Sequence, residues 1–364
     1  YEYPMQQGGG NDGRPYSFGR PSSGGSKAAY PCKSYGQGRI NPAYFYGVFD
    51  PNDMRRDVSI TMTGSNGKGV EKLIPFVPNS KAEGGGLTLN KWDENRQANP
   101  WVAAQRKSGI NGPYMRMSEV YLGYAEVCAA LGDVVTGKQY LKTVRERSFP
   151  QGLANTDAFI ASFGNDLVRA IIEERGFEYA GEGDRRWTLI RSGYLPEDIK
   201  RIKDMTKAMM DGLATKGYYE FENGNIISAY IWTKLVDAKT IYGHRLTAQC
   251  PTDKVNDPVL YPGWRGQKDN WEEMGLNYGS STPATNLAIK GLFEIVSEEE
   301  AASLESQGYT KVNWGIDLVD NRDEYDKYLF WDYDYVSAPI YLWPFTPNVM
   351  AAGGFTNGYG FKQE

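Results

Sequence analysis

The 364-residue chain holds one histidine, His244. That excludes multi-histidine metal sites and leaves little room for a Ser-His-Asp triad. Cysteine is scarce too: Cys32, Cys128 and Cys250 stand far apart with no CxxC. A structural zinc site and a disulfide scaffold are both disfavoured. Long apolar runs are missing, and none approaches the roughly 20 residues a membrane helix needs. Basic charge is not in excess. Forty Lys and Arg against 45 Asp and Glu give −5, a poor match for nucleic acid, whose affinity rests on clustered cations.

What is abundant is half-polar aromatic surface. Tyr numbers 26 and Trp 9, against 14 Phe. Such stiff rings with a polar handle are favoured where a surface binds something. Gly (42) and Pro (19) imply many ordered loops. A length of 364 residues needs neither disulfides nor metals to bury a core. The chain begins at Tyr1 with no charged-then-apolar leader, which reads as a processed or truncated product and says nothing about the compartment.

Three regions follow from the patterning, expected to form one compact unit. Residues 1–112 are loop-rich, with short extended stretches expected at Asp57 to Met62 and Leu73 to Val77, and are assigned the ligand side. Residues 113–203 form a helical core. Residues 204–364 are a loop-rich C-terminal region that closes on it, with a strand at Tyr218 to Phe221, a turn at Asn223-Gly224 and a helix from Ser297 to Gln307. In the helical block, Met117, Val120, Tyr121, Tyr124, Val127, Cys128 and Leu131 recur at steps of three and four and predict one buried helical face. Val134 to Arg147 predicts a second helix. A third runs from Thr156 to about Gly176, and a fourth from Asp184 to Ser192. Around Leu131-Gly132-Asp133, large Tyr121 and Tyr124 and small Ala125 and Gly137 fall where a tetratricopeptide repeat needs them. The small residues let two antiparallel helices approach. One repeat cannot bury its own face, so further repeats are expected.

Several stretches resemble the SusD/RagB-like proteins, in that family's order. YMRMSEVYLGYAEV from Tyr114, YLKTVRER from Tyr140 and AIIEERGFEYAGEGDRRWTLIRSG from Ala170 are similar to its helices. Arg39-Ile-Asn-Pro, Asp53-Met-Arg-Arg-Asp, Tyr341-Leu-Trp-Pro-Phe-Thr-Pro and Thr356-Asn-Gly-Tyr resemble its flanking motifs. Three residues depart from the pattern: Gly176 for a usual Arg or Lys, Thr188 near a common Asp, and Lys142 for Asn. The resemblance implies a mainly α, tetratricopeptide-like scaffold with long ordered loops and a few short strands. It also implies a lipoprotein on the surface of the outer membrane that captures oligosaccharide, or peptide, for a SusC-like TonB-dependent transporter. The lipid-bearing Cys and first repeats of such proteins have no match here, so the anchor is expected outside this chain. No cofactor, metal or nucleic acid is implied.

The resemblance fixes no ligand residues. Loop aromatics with glycine or polar neighbours are the candidates: Tyr16, Tyr30, Tyr35, Trp92, Trp264 and Trp271. Trp187, Tyr121 and Tyr124 are set aside as helix-packing rings. Glu173, Glu174, Glu178 and Glu182 are interleaved with Arg175, Arg185 and Arg186, which predicts fixed ion pairs rather than a glycosidase pair. Asp320, Asp323, Asp326, Asp332 and Asp334 lack the ligand spacing of a calcium loop. A glycoside hydrolase and a helical-repeat peptide-binding protein stand as the alternative functions.

Overall fold

The computed structural model describes residues 2–6, 8–9, 38–65, 71–74, 76, 86–92, 107, 109–149, 152–237, 285–323, 341, 345–354 and 356. Within them the fold is mainly helical, with short strands.

The hairpin read from the sequence is formed. Helix α2 (Met117–Ala130) turns at Leu131-Gly132-Asp133 into α3 (Val134–Glu146). Gly132 takes φ +87°, a left-handed conformation that glycine adopts without steric cost. The Asp133 carboxylate caps α3 by accepting from the Thr136 N–H at 3.1 Å. Where the helices cross, a Cβ on Gly137 would stand 3.0 Å from the Ala125 carbonyl oxygen. Leu122, Ala125, Leu141 and Val144 are buried there.

The buried face differs from the expected one. Met117, Val120, Tyr124, Val127 and Leu131 are exposed, Leu131 by 81%. The side of α2 turned inward carries Ser118, Leu122, Ala125 and Cys128; of the expected face only Cys128 is buried, with Tyr121 half-buried beside it. The apolar stripe marks a surface.

The expected long third helix is two. α4 (Thr156–Ala161) ends, Gly164 and Asn165 turn the chain at φ +66° and +65°, and Asp166 caps α5 (Leu167–Glu178) by accepting from the Arg169 N–H at 3.0 Å. Eleven of the twelve residues of α5 are buried. α6 (Asp184–Ser192) lies between left-handed Gly183 and Gly193, and α7 (Leu195–Lys216) ends at left-handed Gly217.

The second, larger core gathers on the far side of α5. A π-helical turn, Tyr44–Val48, buries Phe45 and Tyr46. The stretch expected to be extended from Asp57 is instead helix α1 (Arg55–Ser59), followed by strand β2 (Ile60–Thr61). In the other expected stretch, Leu73 ends strand β4 (Glu71–Leu73), and the described Ile74 and Phe76 lie outside any strand. β7 (Tyr218–Glu220) and β8 (Ile226–Ser228) form the predicted hairpin. A three-stranded antiparallel sheet was not foreseen: β9 (Tyr230–Asp237) lies between β10 (Thr285–Lys290) and β11 (Thr310–Asn313), with Lys290 and Lys311 both opposite Trp232. α8 (Glu298–Ser306) begins with a capping box of Ser297 and Glu300. α9 (Gly315–Asp320) and α10 (Pro347–Gly353) complete the described elements. Trp314 is fully buried in this core. Its indole N–H donates to the Tyr46 hydroxyl at 2.9 Å, and that hydroxyl donates to the Leu292 carbonyl at 3.0 Å.

Candidate binding site

Three buried carboxylates stand on α5, and arginines hold each of them. Glu174 accepts from Arg55 at 2.7 Å and Arg145 at 2.9 Å. Glu173 accepts from Arg185 at 2.9 Å and Arg201 at 3.0 Å. Glu178 accepts from Arg116 at 2.7 Å and Arg55 at 3.2 Å, and pairs with Arg147. Burial alone would raise the Glu178 carboxyl; the guanidiniums of Arg147, Arg55 and Arg116 outweigh it and bring it down to about 2. The Glu173 carboxyl is likewise lowered, burial being overcome by Arg185 and Arg201. A general acid needs the opposite shift. These carboxylates are fixed in ion pairs as expected, but beside the interleaved Arg185 the partners come from elsewhere: Arg55, Arg116, Arg145, Arg147 and Arg201.

Beside this network lies a cavity of about 530 Å³. Most of its lining comes from four places, with Pro113 and Ile202 of α7 added. The chain around the isolated bridge of Arg39 with Thr88 brings Arg39 and Asn41. The π-helical turn brings Tyr44. The residues after β5 (Thr88–Leu89) bring Trp92. The end of α5 and start of α6 bring Gly176, Tyr179, Gly181 to Gly183, Arg185 and Arg186. Left-handed Gly181 and Gly183, at φ +80° and +88°, shape the turn between those helices. The Trp92 indole N–H donates to the Gly181 carbonyl at 3.1 Å, which fixes the ring against that turn. The Asn41 amide donates to Thr206 at 2.8 Å. Tyr179 donates to the Ser118 hydroxyl at 3.2 Å. Burial pushes the Tyr179 phenol up to about 12, against the Ser118 bond and Arg175, and raises that of Tyr44 further. Both phenols therefore stay protonated. Among its lining residues the cavity has flat rings, an amide and guanidiniums.

The family model described as SusD family matches residues 1–344. The chain belongs to the SusD family. A curated relative, SusD-like protein P25 of Formosa agariphila, is 28% identical over 160 residues, which are 44% of this chain and 26% of that protein. A solved SusD homologue from Bacteroides thetaiotaomicron is 24% identical, with a TM-score of 0.32 over 44% of this chain and 33% of its own. A SusD superfamily protein from Bacteroides vulgatus is 19% identical, again at 0.32, over 46% and 36%. The match thus spans about a quarter of the curated relative's length.

Of the loop aromatics singled out in this SusD-family chain, Trp92 lines the cavity and is 6% exposed. Tyr16, Tyr30, Tyr35, Trp264 and Trp271 lie outside the described residues, as does His244. Two rings set aside as packing are half exposed, though Tyr124 still meets the Tyr140 ring edge-on at 5.1 Å. Trp187 is 51% exposed and Tyr124 is 50% exposed. α6 turns Thr188 and Leu189 inward instead, so its tryptophan faces solvent. Reading by loop aromatics missed Arg39, Asn41, Tyr44, Tyr179, Arg185 and Arg186. A signal existed: two of these belong to Arg39-Ile-Asn-Pro and three to the long stretch from Ala170. Thr188, the departure from Asp, donates to Asp184 at 2.8 Å and accepts from Arg175 at 3.2 Å. Among the described residues, no group of three His, Cys, Asp or Glu side chains is arranged to hold a metal ion.

Proposed function

We propose that this chain captures oligosaccharide at the cell surface, without turning it over, and passes it to a SusC-like TonB-dependent transporter in the outer membrane. The observation that carries the capture step is the cavity beside Trp92, where Tyr44, Tyr179, Asn41 and guanidiniums share one space. A sugar has an apolar C–H face that a ring covers and hydroxyls that amides and guanidiniums bond. Family membership supports the nutrient-uptake role. The arginine-locked carboxylates support capture over hydrolysis. Tyr16, Tyr30, Tyr35, Trp264 and Trp271 are proposed to add ring contacts around the same ligand.

The exposed stripe on α2 supports a protein partner. Met117, Val120, Tyr124, Val127 and Leu131 continue onto Val134 and Val135 of α3, a surface of the kind that partner proteins cover. No described helix is long and apolar enough to cross a membrane, and attachment is assigned to a lipid anchor outside this chain.

Calorimetry against a panel of oligosaccharides and peptides tests the reading. Saturable glycan binding with no products on prolonged incubation is expected. Turnover that survives purification would favour the glycoside hydrolase, and binding confined to peptides would favour the helical-repeat peptide binder. Alanine at Trp264 with Trp271, and separately at Tyr16 with Tyr35, should weaken binding roughly tenfold to a hundredfold for the pair in contact.

A further inference from the structure

Most polar side chains around the cavity beside Trp92 are already bonded within the protein. The Trp92 N–H is taken by the Gly181 carbonyl and the Tyr179 hydroxyl by Ser118. Glu182 accepts from Arg116 and pairs with Lys91, while Arg185 is held by Glu173 and Asp198. The Asn41 oxygen accepts from the Ala43 N–H at 2.8 Å. The Tyr44 hydroxyl differs, for it has no hydrogen-bond partner among the described residues. Burial keeps that phenol protonated, so it can donate. Much of the remaining lining is carbon, from Ile40, Leu89, Pro113, Ala180 and Ile202. A second observation concerns Gly176. A Cβ there would stand 3.3 Å from the Tyr44 hydroxyl and 2.7 Å from Arg185 Nη1. The space next to the free hydroxyl therefore exists because position 176 has no side chain. It is also a position where the chain departs from its motif, which has a long Arg or Lys there. A plain sugar ring carries many hydroxyls, and each gives up water on entering such a space. One free hydroxyl cannot replace that water. A small acyl group fits better, with one carbonyl oxygen to accept a hydrogen bond and one methyl to lie on carbon.

We propose that this cavity reads an acetyl substituent of the captured oligosaccharide, an acetamido group or an acetate ester. Its carbonyl oxygen accepts from the Tyr44 hydroxyl and its methyl lies against the apolar lining. This rests on the capture reading above and names its substrate class. Guanidiniums keep spare N–H groups for the hydroxyls of the sugar that carries the acetyl group.

The test is calorimetry on matched pairs of oligosaccharides. One set compares acetamido sugars with same-linked sugars that carry a hydroxyl at that carbon. The other compares acetate esters before and after mild alkali. The acetylated member should bind at least about tenfold more tightly, through one buried methyl and one hydrogen bond. That margin should hold as salt is raised, because neither partner is charged. The two sets report separately whether amide or ester is read. Tyr44→Phe removes the hydroxyl without breaking a hydrogen bond among the described residues, and Ile202→Trp fills space in the cavity. Each variant, checked for folding by circular dichroism, should cut the margin at least about threefold. Equal binding of acetylated and plain forms by the parent protein overturns the proposal and leaves glycan capture standing. A margin unchanged in both variants also overturns it, by placing the acetyl group elsewhere. A panel with no bound glycan, acetylated or plain, overturns the capture reading and the proposal together.

Discussion

The guanidinium of Arg185 passes directly over Gly176, so closely that a Cβ at 176 would stand 2.7 Å from its Nη1. That guanidinium has little freedom to retreat, because its Nη2 is held by Glu173 at 2.9 Å and Asp198 at 3.0 Å. A glycine inside a helix forgoes about 1 kcal/mol of helix propensity relative to alanine. Here the close crossing outweighs it.

Gly176→Leu should therefore destabilise the fold by about 1–3 kcal/mol despite the better helix former, and should narrow the cavity. Urea denaturation measures the first effect and glycan calorimetry the second. A variant as stable as the parent would show that Arg185 moves aside freely.

Gly137→Leu should cost a similar 1–3 kcal/mol, for a different reason. The intruding side chain meets the Ala125 carbonyl oxygen and Leu167, at 3.0 and 3.1 Å from the Cβ position. Lys142→Ala on the exposed side of the same helix serves as the control, expected within about 0.5 kcal/mol of the parent. Equal denaturation midpoints for the two variants would argue against the close helix crossing.

Acid should unfold the protein partly through Glu178. Its carboxyl is depressed to about 2 in the fold, against about 4.3 in an unfolded chain. The unfolded state binds the proton first, so this contribution is complete above the unfolded value. It fades as pH falls toward the folded one and amounts to on the order of 3 kcal/mol. Glu178→Gln should flatten the stability profile across that window and destabilise the protein at neutral pH, by leaving Arg55, Arg116 and Arg147 short of a partner. An unchanged acid limb would contradict the assignment.

Tyr46→Phe should cost about 1–3 kcal/mol, because it strands the buried Trp314 N–H and the Leu292 carbonyl. Adding Trp314→Phe should cost less than the sum of the two single changes, which a double-mutant cycle by calorimetric melting would register. Simple additivity would deny the link between the two side chains.

The local grammar of the helices was legible. Gly132 with Asp133, Ser297 with Glu300, and the small pair Ala125 and Gly137 each act through short-range sterics or capping, and each sits where its spacing predicts. Orientation was less legible. Periodicity groups Met117, Val120, Tyr124, Val127 and Leu131 on one face but cannot say whether a neighbour covers it. α4 and α5 were merged because Gly164 and Asn165 leave the apolar pattern almost intact while reversing the backbone. The sheet around β9 escaped notice because β10 and β11 come from far along the chain, and neither reads as a strand alone. The same holds for the site. Trp92 stood out as a loop aromatic, whereas Arg39 and Tyr44 reach the cavity from a segment well over a hundred residues before Arg185. Only tertiary packing brings such residues together.

The link from Tyr46 to Leu292 and Trp314 also sets a schedule. The partners are 246 and 268 residues apart in the chain. During synthesis the tyrosine emerges long before either of them exists. Until then its hydroxyl and the surrounding aromatic rings have no native lining, and loops this long are costly to close. The hairpin of α2 and α3 joins near neighbours in sequence and is free to form early. The larger core must wait for the strands that arrive last. A ribosome stalled before residue 292 would thus carry a folded hairpin beside an unfinished, sticky centre, the state in which a chaperone would have most to do.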